Sequence, residues 1–338
     1  MAIRTAILGY GLAGRHFHAP LICATTGLEL VALGTSRAGQ VPDGVRVGSP
    51  AELIADPEID LIVIASPNQS HFELAHGALE AGKHVVVDKP MCVTSGEAER
   101  LIDMAGRLSR LLVPFHNRRW DSDYLTVRKL MASGMLGQVM LFEAHWDRFR
   151  PEVAERWREM PESGSGLMFD LGPHLIDQAL LLFGQPQAVS ADLAMQREGS
   201  QVDDYFSLTM HYGPCRVILS AASVVADPRP RFAIHGTRGS FVKYGLDPQE
   251  DQLRAGIDPF AADFGVEDPS TYGILTREGE SRTAIASERG DWLSFYRGVV
   301  ASIADGSPSP VAPADALAGL KIIEAAANAA PGRTEQLC

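Results

Sequence analysis

Residues 3–14 read Ile3-Arg4-Thr5-Ala6-Ile7-Leu8-Gly9-Tyr10-Gly11-Leu12-Ala13-Gly14, and the reading of this stretch decides the fold. Ile3 to Leu8 is a short apolar run of the kind found in strands buried on both faces. A glycine turn follows at once and opens a helical segment. In a dinucleotide-binding βα unit Gly9 permits the tight turn, Gly11 lets the backbone approach a pyrophosphate, and Gly14 lets the helix pack on the strand. Tyr10, Leu12 and Ala13 complete the turn, and the pyrophosphate sits on helix N-terminal N–H groups, where the helix dipole favours an anion. Alone, the motif also fits a glycine-rich turn in any strand-to-helix connection. Its place directly after the first strand points to a nucleotide.

Working outward, Leu28 to Leu33, Leu61 to Ala65 and Val85 to Val87 repeat the two-faced apolar pattern. Between them, Phe72, Leu74, Ala75, Ala78 and Leu79 fall at helical spacing, and Gly82 stops that helix after Ala81. Strand and helix in alternation imply right-handed crossovers and a parallel, doubly wound sheet. After about Asn117 the rhythm changes. Val139 to Trp146, Ala188 to Gln196, Tyr205 to Tyr212, Arg216 to Val224, Phe232 to His235 and Ser240 to Tyr244 are strand-like, with few helices between them. The chain of 338 residues is about two domains long at roughly 150 residues each. The expected fold class is therefore α/β: a Rossmann domain over residues 1–118, then an α+β domain with a largely antiparallel open sheet over 119–338. The C-terminal helix is expected to pack back on the first domain. A turn at Pro161 to Gly166 should precede a helix over Pro173 to Phe183 with its proline in the first turn. A second helix is predicted over Ala314 to Ala330, closed by Pro331 and Gly332, and Asp247 to Glu280 reads as an irregular excursion.

Composition narrows the function. Hydrophobic residues at 46% and charged residues at 21% describe an ordinary globular chain. The net charge of -12 repels phosphate backbones, so nucleic acid is an unsuitable partner and any phosphate contact must be local. Cys23, Cys92, Cys215 and Cys338 form no CxxC pair, which argues against a disulfide framework and against a zinc site. His16 and His18 form an HxH pair with no recognisable third ligand, so no metal is expected. With no signal-like or membrane-spanning run, the expected location is the cytoplasm.

The second strand of the first domain ends in Gly34-Thr35-Ser36-Arg37, without the acidic residue that commonly holds an NAD ribose. Glu29 lies at the wrong, amino end of that strand. Arg37 can instead pair bidentately with a 2′-phosphate, with the Ser36 hydroxyl as a second donor, which favours NADP(H) and leaves NAD(H) open. A merely solvated loop arginine is the alternative.

Further stretches carry a family resemblance. They are Gly9 to Gly14; Ala65-Ser66-Pro67-Asn68 followed by His71; Gly82-Lys83-His84-Val85-Val86-Val87-Asp88-Lys89-Pro90; and Asp170-Leu171-Gly172-Pro173-His174. In this order and spacing the chain resembles the Gfo/Idh/MocA family of NAD(P)-dependent oxidoreductases over nearly its whole length. Phe115 to Asp121 and Tyr244 to Glu250 are similar to a branch that includes NADP-dependent scyllo-inositol dehydrogenases. The resemblance implies that Ser66, Pro67, Asn68, His71 and Lys89 lie beside the nicotinamide, at the carboxyl ends of the fourth and fifth strands. It implies a homodimer or homotetramer through the open sheet. One departure is Asp88, where the family has Glu before the lysine.

Hydride transfer from a secondary alcohol needs a base for the hydroxyl proton and a donor for the developing alkoxide. His174 is the base candidate because imidazole titrates near neutral pH. Asp170, four residues earlier, shares a helix face with it if one helix runs through both, and can fix the imidazole or bind a substrate hydroxyl. Lys89 is the candidate for the oxygen. All three are expected to converge on a polyol, inositol or sugar. Trp157 and Arg158 resemble a family position that touches the nicotinamide half of the cofactor, and Asn117 is a further cofactor or substrate contact. Tyr296 reads as helix packing together with Trp292 and Phe295. A carbonyl or dihydrodiol reductase, a non-catalytic NADP sensor and an NAD-dependent glycosidase are the alternative activities.

Overall fold

The structure, a computed structural model, describes residues 2–35 and 41–329, and the main chain of 334–336. The chain divides into two compact units: Met1–Trp120 with Gln249–Phe264 and Asp291–Leu317, and Asp121–Pro248 with Gly265–Gly290 and Ala318–Cys338. The two returning segments of the first unit are what a single cut after residue 118 leaves out. No described helix is long and apolar enough to cross a membrane.

In the first unit, β1 (Ile3–Leu8), β2 (Leu28–Gly34), β3 (Arg46–Val47), β4 (Leu61–Ile64), β5 (His84–Val87) and β6 (Leu112–Pro114) form one sheet in the order β3-β2-β1-β4-β5-β6. Every pairing in it is parallel. Leu61 to Ile64 and Val85 to Val87 are completely buried, as strands covered by helices on both faces must be. The crossover helices include α1 (Ala19–Cys23), α2 (Pro50–Ala55), α3 (His71–Glu80) and α4 (Ser95–Leu108). Capping boxes start two of them, Ser49 with Glu52 on α2 and Thr94 with Glu97 on α4. Gly82, at φ +76°, carries the chain out beyond α3, as the apolar spacing predicts. The glycine turn leads into a π-helical stretch, Gly14–His18, before α1, a local widening often found at functional sites.

The region from Asp247 to Glu280 is more ordered than its Pro and Gly content implies. It holds a helix at Gln249–Arg254, a short 3-10 turn at Pro269–Thr271 and a strand at Gly273–Thr276. Apolar residues such as Leu253 and Phe264 hold the first part of it on the first unit, where they join the core of Ile7, Ile22 and Phe115. Trp292, Phe295 and Tyr296 are buried in that same core, with the Phe115 and Phe295 rings edge to face at 4.8 Å. Tyr296 therefore packs, as its spacing predicts, and its hydroxyl meets His18 Nδ1 at 2.6 Å. Arg118 pairs with Glu250, and Arg119 with Asp315 at 2.9 Å.

The second unit contains β7 (Val139–Asp147), β8 (Ala188–Ala194), β9 (Tyr205–Tyr212), β10 (Cys215–Ala222), β11 (Phe232–Gly236), β12 (Gly239–Lys243), β13 (Gly273–Thr276), β14 (Thr283–Ile285) and β15 (Thr334–Gln336). Their order is β14-β13-β12-β11-β7-β10-β9-β8-β15, antiparallel except for the β7–β10 pair. Along β9 the burial alternates, with Phe206, Leu208 and Met210 inward, the period-2 mark of a sheet with one packed face. α5 (Ser122–Ala132) and α6 (Leu167–Phe183) supply that packing through Tyr124, Val127, Leu171 and Leu175.

α6 corrects an expectation. It begins at Leu167, six residues before Pro173, so the proline lies inside the helix and forfeits one backbone hydrogen bond. A distant residue sets the true start. Leu167 N–H donates to the Asp203 carbonyl at 2.8 Å and Met168 N–H to the Asp203 carboxylate at 2.6 Å. Gly166, at φ +92°, is obligatory here, since a Cβ would lie 2.0 Å from Asp203 Oδ1. The expected Ala314 helix runs Pro313–Asn328, and its closing Pro331 and Gly332 lie outside the described residues.

Burial pushes the Asp203 carboxyl up to about 6 despite these donors. With a folded value above the unfolded one, the group's contribution is full below about pH 4 and is lost as pH rises through about 6. Asp203→Asn keeps an acceptor for Met168 and removes the titration. Its thermal midpoint relative to wild type should be higher at pH 8 than at pH 4.5, and a constant offset would contradict the assignment.

Candidate active site

In the first unit, strand order reverses between β1 and β4, and ligands of such sheets bind outside the strand carboxyl ends at that point. The glycine turn occupies it. Gly9, at φ +102°, donates its N–H to the Gly34 carbonyl at 2.9 Å, and a Cβ on it would come within 2.4 Å of the Ala65 carbonyl oxygen. A Cβ on Gly14 would lie 2.0 Å from the Gly9 carbonyl oxygen. Gly11 differs from both. A Cβ there meets nothing within 4 Å, so the one glycine expected to face a pyrophosphate is the one that faces open space. Leu12 is exposed and Tyr10 is packed in the core, while Ala13 is half-buried. These features fit a dinucleotide. Ser36 and Arg37, the expected ribose-phosphate contacts, lie outside the described residues.

Two loops at the same sheet edge carry the remaining residues of this unit. After β4, Ser66 Oγ lies 2.6 Å from Ser70 Oγ, Pro67 is exposed, and Asn68 is buried at the start of a 3-10 turn. After β5, the Lys89 N–H donates to Asp88 Oδ1 at 2.8 Å, so the shorter acid caps the amide of its own neighbour. Lys89 itself is half-buried. His71 joins the two loops. Its ring is fully buried, with Nδ1 2.8 Å from the Pro90 carbonyl oxygen and Nε2 2.9 Å from that of Ser66. Burial lowers its pKa, while Asp88 and the two carbonyls pull the other way. A neutral ring donates to only one of the two oxygens. His71 is thus tied between the loops that present Ser66 and Lys89. Asn117 is buried and opens the 3-10 turn Asn117–Trp120 after β6.

In the second unit, α6 carries both Asp170 and His174 on one face, because the helix runs through both. Asp170 is ion-paired to Arg148 Nη1 at 2.9 Å and lies 3.7 Å from Arg158 Nε. Arg148 follows β7 directly, and Arg158 sits in the 3-10 turn Trp157–Glu159 with its guanidinium over the Trp157 ring. His174 is 7% exposed and packs against the Trp146 ring at 5.7 Å. The buried Arg231 guanidinium also packs on that indole, 5.2 Å from the ring centre, held by Asp123 at 3.2 Å and Gln178 at 2.8 Å. Arg148, Trp146 and Arg231 escaped the sequence reading. The arginine-rich stretch from Asp147 to Arg158 is a visible signal for the first, whereas nothing local marks Arg231 as a partner of Trp146.

Comparisons with known proteins give the family. The Gfo/Idh/MocA family description of an oxidoreductase NAD-binding Rossmann fold matches residues 3–116, and that of its C-terminal α/β domain matches residues 128–337. The uncharacterized oxidoreductase YdgJ of Escherichia coli K12 is 45% identical, covering 98% of this chain and 97% of its own. The NADP(+)-dependent scyllo-inositol 2-dehydrogenase IolW of Bacillus subtilis is 42% identical over 96% and 92%. The solved structure of yvaA from Bacillus subtilis gives a TM-score of 0.96 at 40% identity, covering 100% of this chain and 99% of that one. With both halves matched and the glycine turn shaped for a dinucleotide, the chain belongs to the Gfo/Idh/MocA family and is an oxidoreductase with an NAD-binding Rossmann domain.

Proposed function

We propose that this oxidoreductase interconverts a secondary alcohol and a ketone on a polyol, inositol or sugar, with NADP(H) as the favoured cofactor. The observation that carries the reading is the Asp170–His174 pair on one face of α6, with Asp170 held by Arg148 at 2.9 Å. Similarity to IolW, named for NADP and scyllo-inositol, supports the cofactor and the substrate class. Bound NADP(H) would supply or accept the hydride at nicotinamide C4.

The chain's own residues divide the remaining work. The Gly9 to Gly14 turn would take the pyrophosphate on main-chain N–H groups, and Ser36 with Arg37 the ribose phosphate. Ser66, Pro67, Asn68, Asn117, Trp157 and Arg158 belong to the cofactor's surroundings in this reading, and His71 holds together the loops that present Ser66 and Lys89. His174 would accept the hydroxyl proton during oxidation and return it during reduction. Asp170 would accept a hydrogen bond from a neighbouring substrate hydroxyl. The Lys89 ammonium would hydrogen-bond the reacting oxygen and stabilise its alkoxide character. Self-association as a homodimer or homotetramer is assigned to the sheet face opposite α6, which carries the partly buried Leu141 and Ile218.

The direct test is a screen of inositols, aldoses and their keto forms with NADP and NADPH, followed by absorbance of the reduced nicotinamide. Turnover on none of them would retire the reading. Lys89→Ala and His174→Ala should each lower kcat by more than about a hundredfold; near-normal turnover in either variant removes its assigned role. Titration should show NADP binding more tightly than NAD in wild type and equal affinities in Arg37→Ala. An unchanged preference would take Arg37 out of the ribose site.

A further inference from the structure

The second unit gathers positive charge against the sign of the whole chain. Although the net charge is -12, Arg148, Arg150, Arg156, Arg158 and Arg197 line a single depression together with Asp170. Most of these guanidiniums are committed. Asp170 takes Arg148 and Arg158; Glu159 takes Arg156 at 2.8 Å and Arg197 at 3.2 Å; Asp204 also takes Arg197, at 2.9 Å. Asp203, in the same depression, already caps α6. Arg150 is the guanidinium left over. Its main-chain N–H donates to the Ser223 carbonyl at 2.7 Å, which fixes where the side chain starts, but the exposed side chain has no ion pair among the described residues.

Glu159, Asp170, Asp203 and Asp204 line the same depression, and all but Asp203 engage the other arginines, so an entering anion would meet the one guanidinium without an ion pair among the described residues, that of Arg150. The guanidinium fork matches carboxylate and phosphate oxygens two at a time and gains less from a neutral hydroxyl. Position adds to charge, because Asp170 lines the same depression as Arg150.

We propose that Arg150, flanked by Arg148 and Arg156, forms a subsite for an oxyanion, a carboxylate or phosphate, on a ligand that also meets Asp170. The proposal rests on the reading of Asp170 as a ligand-facing residue. It goes beyond that reading by selecting acidic ligands over neutral ones. A sugar acid or sugar phosphate supplies such a group, and so does the nucleotide diphosphate.

The test uses the full-length protein, wild type and Arg150→Ala, titrated calorimetrically at neutral pH with glucuronate, glucose 6-phosphate and glucose, each in saturating NADP, and separately with NADP alone. Since the Arg150 side chain is exposed, the variant should keep the wild-type thermal midpoint without ligand. If the oxyanion is carried on the sugar, both acidic sugars bind about tenfold more tightly than glucose, the scale of one charge-assisted contact. Arg150→Ala then abolishes that margin and leaves glucose unchanged. If it is carried on the nucleotide, the acidic sugars gain nothing, and Arg150→Ala weakens NADP about tenfold with a shallower salt dependence. Affinities that change in neither arm overturn the subsite. The screen described above separates the two readings: turnover on no sugar or polyol retires the reaction, while these binding margins are read without turnover.

Discussion

The first unit is organised around two contacts that leave no room for a side chain. The Gly9 main chain passes so near Ala65 that a Cβ would lie 2.4 Å from its carbonyl oxygen, and Gly14 approaches Gly9 more closely still. These contacts press the first helical turn against the ends of β1 and β4, where the sheet changes direction. Any larger residue at position 9 or 14 would push the turn off the strand ends, and the opening in front of Gly11 would move with it. The loops after β4 and β5 depend on the same edge, joined by the buried His71 ring.

The second unit relies on buried charge where the first relies on close main-chain approach. Arg231 with Asp123, Lys243 with Glu267 at 3.0 Å, and Arg197 with Asp204 are all nearly inaccessible pairs. Pairs of this kind add little stability over an apolar replacement, yet removing one partner strands the other and is costly. They restrict how neighbouring groups can be arranged. Arg231 packs on the same indole as His174, and Arg197 holds Glu159 in the arginine-rich segment beside Asp170.

How much of this was legible depended on the range of the interaction that decides each feature. β1 and β9 were readable to the residue because a strand's burial pattern is written in its own side chains. α3 was readable to within a residue at each end, since its apolar spacing and the glycine beyond it are local. α6 was misjudged at its start because the group that caps it, Asp203, comes from a separate loop. Of the candidate site, the glycine turn and the Asp170–His174 spacing were visible as patterns. The partners that set their environment, Arg148 on Asp170 and Trp146 on His174, meet them only through the tertiary fold. His71 shows a further limit, since its motif announces importance, but the two carbonyls around its ring define what it does.

The segments that return to the first unit give its assembly an order in time. Ile7, Ile22 and Phe115 are synthesised early, whereas Trp292, Phe295 and Tyr296, which close over the same core, emerge only after nearly all of the second unit. During translation the dinucleotide domain therefore waits with part of its apolar surface uncovered, and the long sequence separation of these contacts slows its completion. The second unit also keeps its last segment, Ala318–Cys338, until the end of the chain. Neither unit is finished before the other is nearly made, so folding of the two is interleaved rather than sequential.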